Sequence, residues 1–309
     1  MTSGNAGVMQ TPRKVAVIAH RRKTLGGGLD ELRRLITDEG VDELLWSEVP
    51  KSRKAPKQVR KAIKARPDLL LVWGGDGMVQ RSLDALAEAG GARIPVGIIP
   101  AGTANLLATN LGVPHDLAQA VQIAFHGRRR KLDLGVLNGE HFAVMAGIGF
   151  DGAMIHDADG KLKDRMGKLA YVWTGLRHLD DPAPRAKIKV DGTPWYSDVA
   201  SCVLVGNVGT VTGGITAFDD AKPDDGWLDV GVASAQGATQ WARTMGRMAL
   251  GRSTDSPFVH MTRARRVDVK LRKPLTYELD GGARTAVRRI RVEIAPAAVK
   301  VCVPRPDVR

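Results

Sequence analysis

The first 130 residues alternate short apolar runs with amphipathic stretches, and this alternation constrains the fold more than any other feature. The apolar runs at 14–19, 43–47, 69–73 and 96–99 are typical of buried strands. Between them, apolar residues recur three or four positions apart, as in Val79, Leu83 and Leu86. This spacing is typical of helices with one buried face. Strands that alternate with helices predict an α/β domain with a mostly parallel sheet.

The pattern changes near residue 132, where strand signals follow one another with few helices between them. Helices are predicted only near 166–179 and 238–250. The predicted strands cover 133–137, 141–146, 186–190, 199–205, 228–233, 266–271, 275–279, 289–294 and 299–303. We therefore predict two domains, at 13–131 and 132–309, the second being mainly antiparallel β. The basic run Arg128–Lys131 between them is interpreted as a solvated linker.

The 309-residue chain is basic, with 46 Lys and Arg against 33 Asp and Glu and a net charge of +13. Basic residues outnumber acidic ones 15 to 8 in residues 1–70 and 13 to 5 in residues 261–309. These basic terminal segments suit binding to an anionic surface, either a membrane or nucleic acid. Solubility alone is the other explanation of the charge. No zinc-ligand spacing, helix-turn-helix pattern or aromatic RNA-binding motif accompanies the charge, so we expect no specific nucleic-acid partner.

Three further features concern the cellular compartment. Cys202 and Cys302 lie in apolar runs without metal-ligand spacing, which favours buried free thiols in a reducing cytoplasm. No apolar stretch approaches the roughly 20 residues that span a bilayer. The first 14 residues lack the apolar segment of a secretory signal. The expected location is therefore cytoplasmic.

The strongest motif is Gly74-Gly75-Asp76-Gly77, which separates a predicted buried strand from a predicted helix. Glycines let the backbone approach a ligand, and the helix N-terminus offers N–H groups to an anion. A tight turn that merely requires glycine is the alternative. An aspartate at such a turn suits a phosphate only if Mg²⁺ or a reacting hydroxyl lies between the two.

A second strand-to-helix junction, at Pro100–Asn105, strengthens the phosphate interpretation. Thr103 and Asn105 are residue types that cap helix N-termini, and capping alone would explain them. In a parallel sheet, however, both junctions open on the same edge, where ligands bind outside the carboxyl ends of the strands. The two loops together therefore predict a nucleotide site.

Several motifs in order resemble the soluble diacylglycerol kinase family, which includes bacterial lipid kinases and the sphingosine and ceramide kinases. The resemblance covers about residues 14–304. It is carried by GGDG, PAGTANLLATNLGVP, LDLGVLNGEHFAVMAGIGFDG, VLVGNVG and PDDGWLDV. It implies an α/β ATP-binding domain followed by a β-sandwich domain whose last strand packs back on the first domain. It also implies a kinase that uses ATP and Mg²⁺ on a lipid substrate at an anionic membrane surface.

The resemblance also implies roles for particular residues. Nucleotide contacts fall on Gly74, Gly75, Asp76, Gly77 and Met78 and on Gly102, Thr103 and Asn105. Asp133 and Asp151 match acidic positions of the family. A Mg²⁺ site falls on the carboxylate of Asp225 and the backbone carbonyls of Lys222 and Trp227, which are hard oxygen ligands. Without the family, the acidic loop at 219–225 would be interpreted as solvated.

The largest departure from the family pattern lies near the C-terminus. The family motif Asp-Gly-Glu supplies a glutamate as general base on the lipid hydroxyl, but this chain has Asp280-Gly281-Gly282. Asp280 or Asp76 is a candidate substitute, which makes these two the predicted catalytic residues. Asp280 has the alternative of a polar turn residue. Loss of a general base slows phosphoryl transfer, which depends mainly on positioning and charge stabilisation.

Three functions therefore stay open. The leading hypothesis is an ATP-dependent kinase of diacylglycerol or a related lipid, peripheral to the membrane. The second is a non-catalytic nucleotide- or lipid-binding relative, prompted by Gly282. The third is a kinase of a soluble alcohol or of NAD, prompted by GGDG alone. The DDGWLDV turn and the β-rich second half favour the lipid group. The oligomeric state is also open, and a homodimer is one alternative.

Overall fold

The structure, a computed structural model, describes residues 11–148, 184–211, 215–249 and 256–306. It divides into two compact units. One comprises residues 1–131 with 299–309, and the other comprises residues 132–298. Asp151 and the helix predicted at 166–179 lie outside the described residues. The first and the last described residues, 11 and 306, thus belong to the same unit.

The first unit is built on a parallel sheet. Its strands are β1 (Lys14–His20), β2 (Glu43–Val49), β3 (Leu69–Gly74), β4 (Pro95–Pro100) and the end of the last strand, β16 (Gly282–Val303). The sheet order is β16-β4-β3-β1-β2. Lys300 and Val301 of β16 run parallel to β4. Its helices are α1 (Gly28–Asp38), α2 (Ala55–Lys64), α3 (Asp76–Glu88), α4 (Leu106–Asn110) and α5 (Leu117–His126).

Burial and strand register account for the arrangement of strands and helices in this unit. Every residue of β3 is buried, as expected for a central strand of a parallel sheet covered on both faces. Helix α3 directs Val79, Leu83 and Leu86 inward, and their spacing places them on one face. The parallel registers pair Ala19 with Trp73 and Gly74 with Pro100, so β1, β3 and β4 end at one edge. The predicted glycine loops follow at that edge.

The second unit is mainly antiparallel β, with one described helix, α6 (Gly237–Ala249). Its strands begin with β5 (Arg128–Leu137), β6 (Glu140–Phe142), β7 (Met145–Ile148), β8 (Arg185–Val190), β9 (Thr193–Val199) and β10 (Cys202–Gly206). They continue with β11 (Thr210–Val211), β12 (Ile215–Thr216), β13 (Leu228–Ala233), β14 (Val259–Ala264) and β15 (Arg266–Leu279), and β16 follows. The order β14-β13-β10-β7-β15-β16 forms the main sheet.

Two hairpin-like additions extend this sheet. Strand β8 pairs with β15 and carries β9 on its other side, and β5 pairs with both β6 and β16. Alternate residues of β8 and β15 point inward, so Ile188, Val267 and Val269 join the apolar core. The same alternation leaves the intervening residues on the outer face. The α/β plus antiparallel β fold class predicted from the sequence is confirmed.

Several element predictions need correction. The run Arg128–Lys131 is not a linker but the start of β5, where Arg129 donates to the Ala124 carbonyl at 2.8 Å. Strand β9 was missed because no alternation of apolar residues marks it, and most of it is exposed or half-buried. The segments 266–271 and 275–279 form one strand, because the irregular register between them bends the strand without ending it.

Candidate functional site

The Gly-Gly-Asp-Gly turn connects β3 directly to α3. Gly75 has an extended conformation and precedes the first helical residue, Asp76. The first turn of a helix has N–H groups without intrahelical acceptors, and the helix dipole favours an anion beside them. With 13 residues, α3 is long enough to present such a terminus. The junction therefore has the backbone features of a phosphate-binding turn.

The two glycine loops touch each other through their backbones. A Cβ built on Gly102 would lie 2.4 Å from the Cα of Gly75, and one built on Gly75 would lie 3.0 Å from the Cα of Gly102. Gly102 leaves no room for a side chain, and at Gly75 the facing backbone would have to move slightly to admit one. Because only hydrogen occupies the space, the loops after β3 and β4 form one continuous backbone surface. The structure thus brings together the two loops that the sequence predicted to be neighbours.

Asp76 links these loops by a hydrogen bond. Its Oδ1 accepts from the backbone N–H of Leu106, the first residue of α4, at 2.5 Å. Burial raises the pKa of Asp76, while hydrogen bonds from the backbone of Leu106, Asp76, Asn105 and Leu107 oppose that rise. The carboxylate thus caps a helix in the neighbouring loop, a role that local sequence cannot show.

Asn105 fixes the shape of the second loop. It has a left-handed conformation (φ 49°), which asparagine tolerates better than most residues. Its Oδ1 accepts from the N–H of Gly102 at 2.8 Å, and its Nδ2 donates to the carbonyls of Pro100 and Gly102. Asn105 therefore occupies the N-cap position of α4, but its side chain bonds to the preceding loop and not to the N–H groups of the helix. A direct nucleotide contact by this side chain stays a prediction.

The other predicted nucleotide contacts differ in accessibility. Gly77 and Thr103 are exposed, whereas Met78 is buried. A Cβ on Gly74 would lie 2.5 Å from Cγ of Met78, so this side chain packs under the turn. Its backbone N–H donates to the Gly75 carbonyl at 2.8 Å. Methionine at this position therefore fills space beneath the turn, and its contact with a nucleotide stays a prediction.

A short basic segment follows β1 at the same sheet edge. Arg21 pairs with Glu48, while Arg22 and Lys23 have no ion-pair partner within the described ranges. Burial lowers the pKa of His20, and the charges of Lys23 and Arg22 lower it further. An imidazole that resists protonation beside two cations marks a locally positive edge. That edge suits the anionic end of a nucleotide.

In the second unit, Asp280 is fixed by the segment that connects β6 to β7. Its carboxylate accepts from the backbone N–H groups of Ala143, Val144 and Met145 at 2.8–2.9 Å. The residue is 3% exposed and lies at φ 45°, in the turn between β15 and β16. Both carboxylate oxygens are thus occupied by backbone donors. Its predicted catalytic role stays untested, and these contacts favour a structural one.

Glu278, two residues earlier in β15, has a different environment. It pairs in register with Gly147 of β7 and Ala283 of β16. Burial raises its pKa to about 7, and the negative charge of Asp280 contributes. Within the described part of the chain, its carboxylate has no hydrogen bond or ion pair. Asp280 follows two residues later, in the turn after β15. The sequence reasoning missed Glu278.

The acidic turn predicted to bind Mg²⁺ is held by Asp133. The Asp133 carboxylate accepts from the N–H of Gly226 and from that of Ala297, both at 2.7 Å. Its own N–H donates to the Pro223 carbonyl. Asp133 is 4% exposed and thus connects the turn to β5 and β16. The acidic position matched by the family is therefore a structural anchor of the turn.

Asp225, the predicted Mg²⁺ ligand, is paired with an arginine. Its carboxylate contacts the guanidinium of Arg263, and it also accepts from the N–H of Trp227 at 3.1 Å. Lys222 is exposed. The described ranges contain no cluster of three or more His, Cys, Asp or Glu side chains that could hold a metal. A bound cation would compete with the Arg263 charge, so this arrangement does not fit Mg²⁺, and the assignment of Lys222, Asp225 and Trp227 stays a prediction.

Comparison with known proteins bears on both units. Residues 15–137 match the diacylglycerol kinase catalytic domain, and residues 143–303 match the YegS C-terminal NAD kinase beta sandwich-like domain. The chain belongs to the YegS and diacylglycerol kinase family of lipid kinases. The resemblance inferred from the motifs is thereby confirmed.

Relatives within this family match most of the chain. A protein of Pectobacterium atrosepticum named "Probable lipid kinase YegS-like" is 31% identical over 288 residues, 90% of this chain and 92% of the relative. A diacylglycerol kinase of Bacillus subtilis is 29% identical over 220 residues, 69% of this chain and 71% of the relative.

Solved structures agree on the fold. A diacylglycerol kinase of Bacillus anthracis superposes with a TM-score of 0.79 at 24% identity, covering 97% of this chain and 99% of that one. An NAD kinase of Archaeoglobus fulgidus solved with ATP gives 0.52 at 11% identity, covering 93% of each chain.

Sequence reasoning overlooked two polar groups of the second unit, one buried and one half-buried. Asn207 donates to the carbonyls of Asp133 and Ala143, and its Oδ1 has no partner among the described residues. Glu278 is the other. The only signal in the sequence is a carboxylate between Tyr277 and Leu279 at the end of a predicted strand.

Proposed function

We propose that this protein is an ATP-dependent lipid kinase that phosphorylates a hydroxyl of diacylglycerol or a related lipid. Membership of the family supports the lipid-kinase class. The observation that carries the nucleotide part is the backbone contact between Gly75 and Gly102, where a Cβ on Gly102 would lie 2.4 Å from the Cα of Gly75. A continuous backbone surface at a helix N-terminus suits phosphates, because N–H groups can approach them closely.

In the proposed reaction, the lipid hydroxyl oxygen attacks the γ-phosphorus of ATP. A new O–P bond forms, the bond from the γ-phosphorus to the β,γ-bridging oxygen breaks, and ADP leaves. The glycine loops and the N-terminus of α3 bind and orient the phosphates. Arg22 and Lys23 add positive charge at the same sheet edge. Positioning and charge stabilisation of this kind supply most of the catalysis in phosphoryl transfer.

The hydroxyl proton needs an acceptor, and we propose Glu278. A general base is most effective when its pKa lies near the working pH. The pKa of Glu278, raised by burial to about 7, meets that condition, and no hydrogen bond in the described ranges occupies its carboxylate. Asp280 is less suitable because three backbone N–H groups engage it. Asp76 remains a second candidate, with its pKa also raised by burial.

The direct test is transfer of labelled phosphate from ATP with Mg²⁺. Purified protein is incubated with diacylglycerol, ceramide or a sphingoid base in mixed micelles, and with NAD or glycerol as soluble acceptors. We expect labelled lipid and no labelled NAD or glycerol. If NAD or glycerol is labelled and the lipids are not, the lipid-kinase proposal is wrong and the protein is a kinase of a soluble substrate.

A variant separates a slow kinase from a non-catalytic relative. Gly282→Glu restores the carboxylate of the family motif. Its Cβ would lie 2.8 Å from Nη1 of Arg284 and 3.3 Å from the Leu279 carbonyl oxygen, so the Arg284 side chain must shift. General-base catalysis contributes about 10²–10⁴-fold, so the variant should be faster if the base limits the rate. An inactive wild type with an active variant would favour the non-catalytic alternative. Glu278→Gln should slow the wild type and affect Gly282→Glu less.

A further inference from the structure

The outer face of the second unit carries three cations in one cross-strand row. Lys187 of β8 lies opposite Lys270 of β15, and Lys270 lies opposite Arg289 of β16. All three are exposed. Directly opposite residues of antiparallel strands have Cβ atoms about 5 Å apart, and like charges there destabilise the sheet. We call Lys187, Lys270 and Arg289 the basic row.

The neighbouring row shows how such charge is normally compensated. There Asp268 lies between Lys189 and Arg291 in register. Its carboxylate accepts from Arg266 at 2.9 Å and from Arg291 at 3.1 Å. The hydrogen bond from Arg266 is the main cause that lowers the pKa of Asp268. In the basic row, by contrast, none of the three cations has an ion-pair partner within the described residues.

The basic row adjoins a shallow cleft of about 420 Å³. Two further cations, Arg185 and Arg272, line this cleft with Lys187 and Lys270. The one carboxylate among its lining residues, Asp198, pairs with Arg185 at 2.8 Å. The positive charge around the cleft therefore exceeds the negative charge. It lies on the exposed outer face of a sheet whose other face packs into the core.

We propose that the basic row docks the protein on an anionic phospholipid bilayer. This inference rests on the proposed function, since a lipid kinase must reach a substrate held in a membrane. The charge complementarity favours lipid headgroups. The outward positions of β8, β15 and β16 around the row carry no aromatic side chain on which bases of a single-stranded nucleic acid would stack. Basic side chains near such a surface each strengthen binding about fivefold.

The test is co-sedimentation of the full-length protein with vesicles, without ATP. Phosphatidylcholine vesicles are compared with vesicles that also contain phosphatidylserine. We expect binding to the mixed vesicles only, weakening as salt screens the charges. The triple variant Lys187→Gln, Lys270→Gln and Arg289→Gln should bind about 100-fold more weakly, from about fivefold for each residue. Its melting temperature should not fall, because the substitutions remove like-charge repulsion.

A matched triple variant controls for net charge. Lys57→Gln, Lys61→Gln and Lys64→Gln remove three exposed charges from α2 and should change vesicle binding little. Equal loss in both triple variants, or wild-type binding by the row variant, would overturn the proposal. So would RNA that displaces the protein from vesicles at low concentration. If the row variant does not fold, the single variant Lys270→Gln makes the same comparison against Lys61→Gln.

Docking and catalysis are tested separately. In neutral detergent micelles, the row variant should phosphorylate lipid at the wild-type rate, because these micelles carry no negative charge for the row to bind. Vesicle binding without kinase activity would refute the proposed function and leave the docking surface intact. Kinase activity in micelles with no binding to anionic vesicles would refute the docking surface alone.

Discussion

The carboxylate of Asp76 accepts a hydrogen bond from the backbone N–H of Leu106, thirty residues further along the chain, at 2.5 Å. It joins the loop after β3 to the helix after β4. Beside it, Gly75 and Gly102 touch backbone to backbone. The candidate nucleotide site is therefore a single structure of two loops, and a change in either loop should affect both.

Gly102→Ala should destabilise the first unit and weaken ATP binding. The new Cβ would lie 2.4 Å from the Cα of Gly75, and backbone atoms cannot move aside cheaply. Overpacking of this kind costs about 1–3 kcal/mol of unfolding free energy. Thermal unfolding and ATP titration calorimetry measure the two effects. Gly246→Ala, with no heavy atom within 4 Å of its Cβ, should be neutral or stabilising. A Gly102→Ala variant as stable as the wild type would contradict the close contact.

Asp280→Ala should cost about 3 kcal/mol or more of unfolding free energy. The substitution leaves the N–H groups of Ala143, Val144 and Met145 without their acceptor in a buried loop, and each unsatisfied donor costs about 1–3 kcal/mol. Urea unfolding measures the loss. Asp42→Ala removes an exposed carboxylate paired with Arg13 and should cost about 1 kcal/mol at most. Equal costs for the two variants would disprove the structural role of Asp280.

Glu278 should make stability fall as the pH rises. Its pKa is about 7 in the folded protein against 4.5 as the ordinary value, so folding favours the protonated form. This contribution is complete below pH 4.5 and is lost as the pH rises through 7. The full shift corresponds to about 3 kcal/mol. Glu278→Gln stays neutral and should lose less stability than the wild type between pH 5 and pH 8, measured by urea unfolding. The exposed control Glu88→Gln should keep the wild-type pH dependence.

The same titration predicts an activity profile. If Glu278 accepts the proton, the kinase rate should rise through an apparent pKa near 7, because only the ionised carboxylate is a base. In Glu278→Gln this acidic limb should disappear while the affinity for ATP stays unchanged. The rate is measured across pH with diacylglycerol in micelles. A variant that keeps both the limb and the wild-type rate would exclude Glu278 as the acceptor.

Arg263→Gln should convert the Asp225 turn into a weak cation site. In the wild type the guanidinium contacts this carboxylate, and removing its charge frees the oxygens for Mg²⁺. We expect MgCl₂ to raise the melting temperature of the variant more than that of the wild type, with KCl at equal ionic strength as the control. A wild type stabilised by Mg²⁺ as strongly as the variant would instead support the metal site that the family resemblance implies at Asp225.

The sequence predicted the strands and helices of the first unit well, because buried strands and amphipathic helices leave clear periodic patterns. It predicted the second unit less completely. Strand β9 has no such pattern, and the basic start of β5 appeared to be a linker. Pairing with a neighbouring strand supplies hydrogen bonds whatever the side chains, so strands of this kind are fixed by their partners rather than by local composition.

The sequence by itself determined the fold class, the family and the two glycine loops, since each depends on residues close together in the chain. Only the tertiary structure decided what the carboxylates do. Asp76 caps a distant helix, Asp280 anchors a loop and Asp225 pairs with Arg263, while Glu278 has no such partner among the described residues. A carboxylate's role depends on burial and on donors brought together from far along the chain, and only folding sets both.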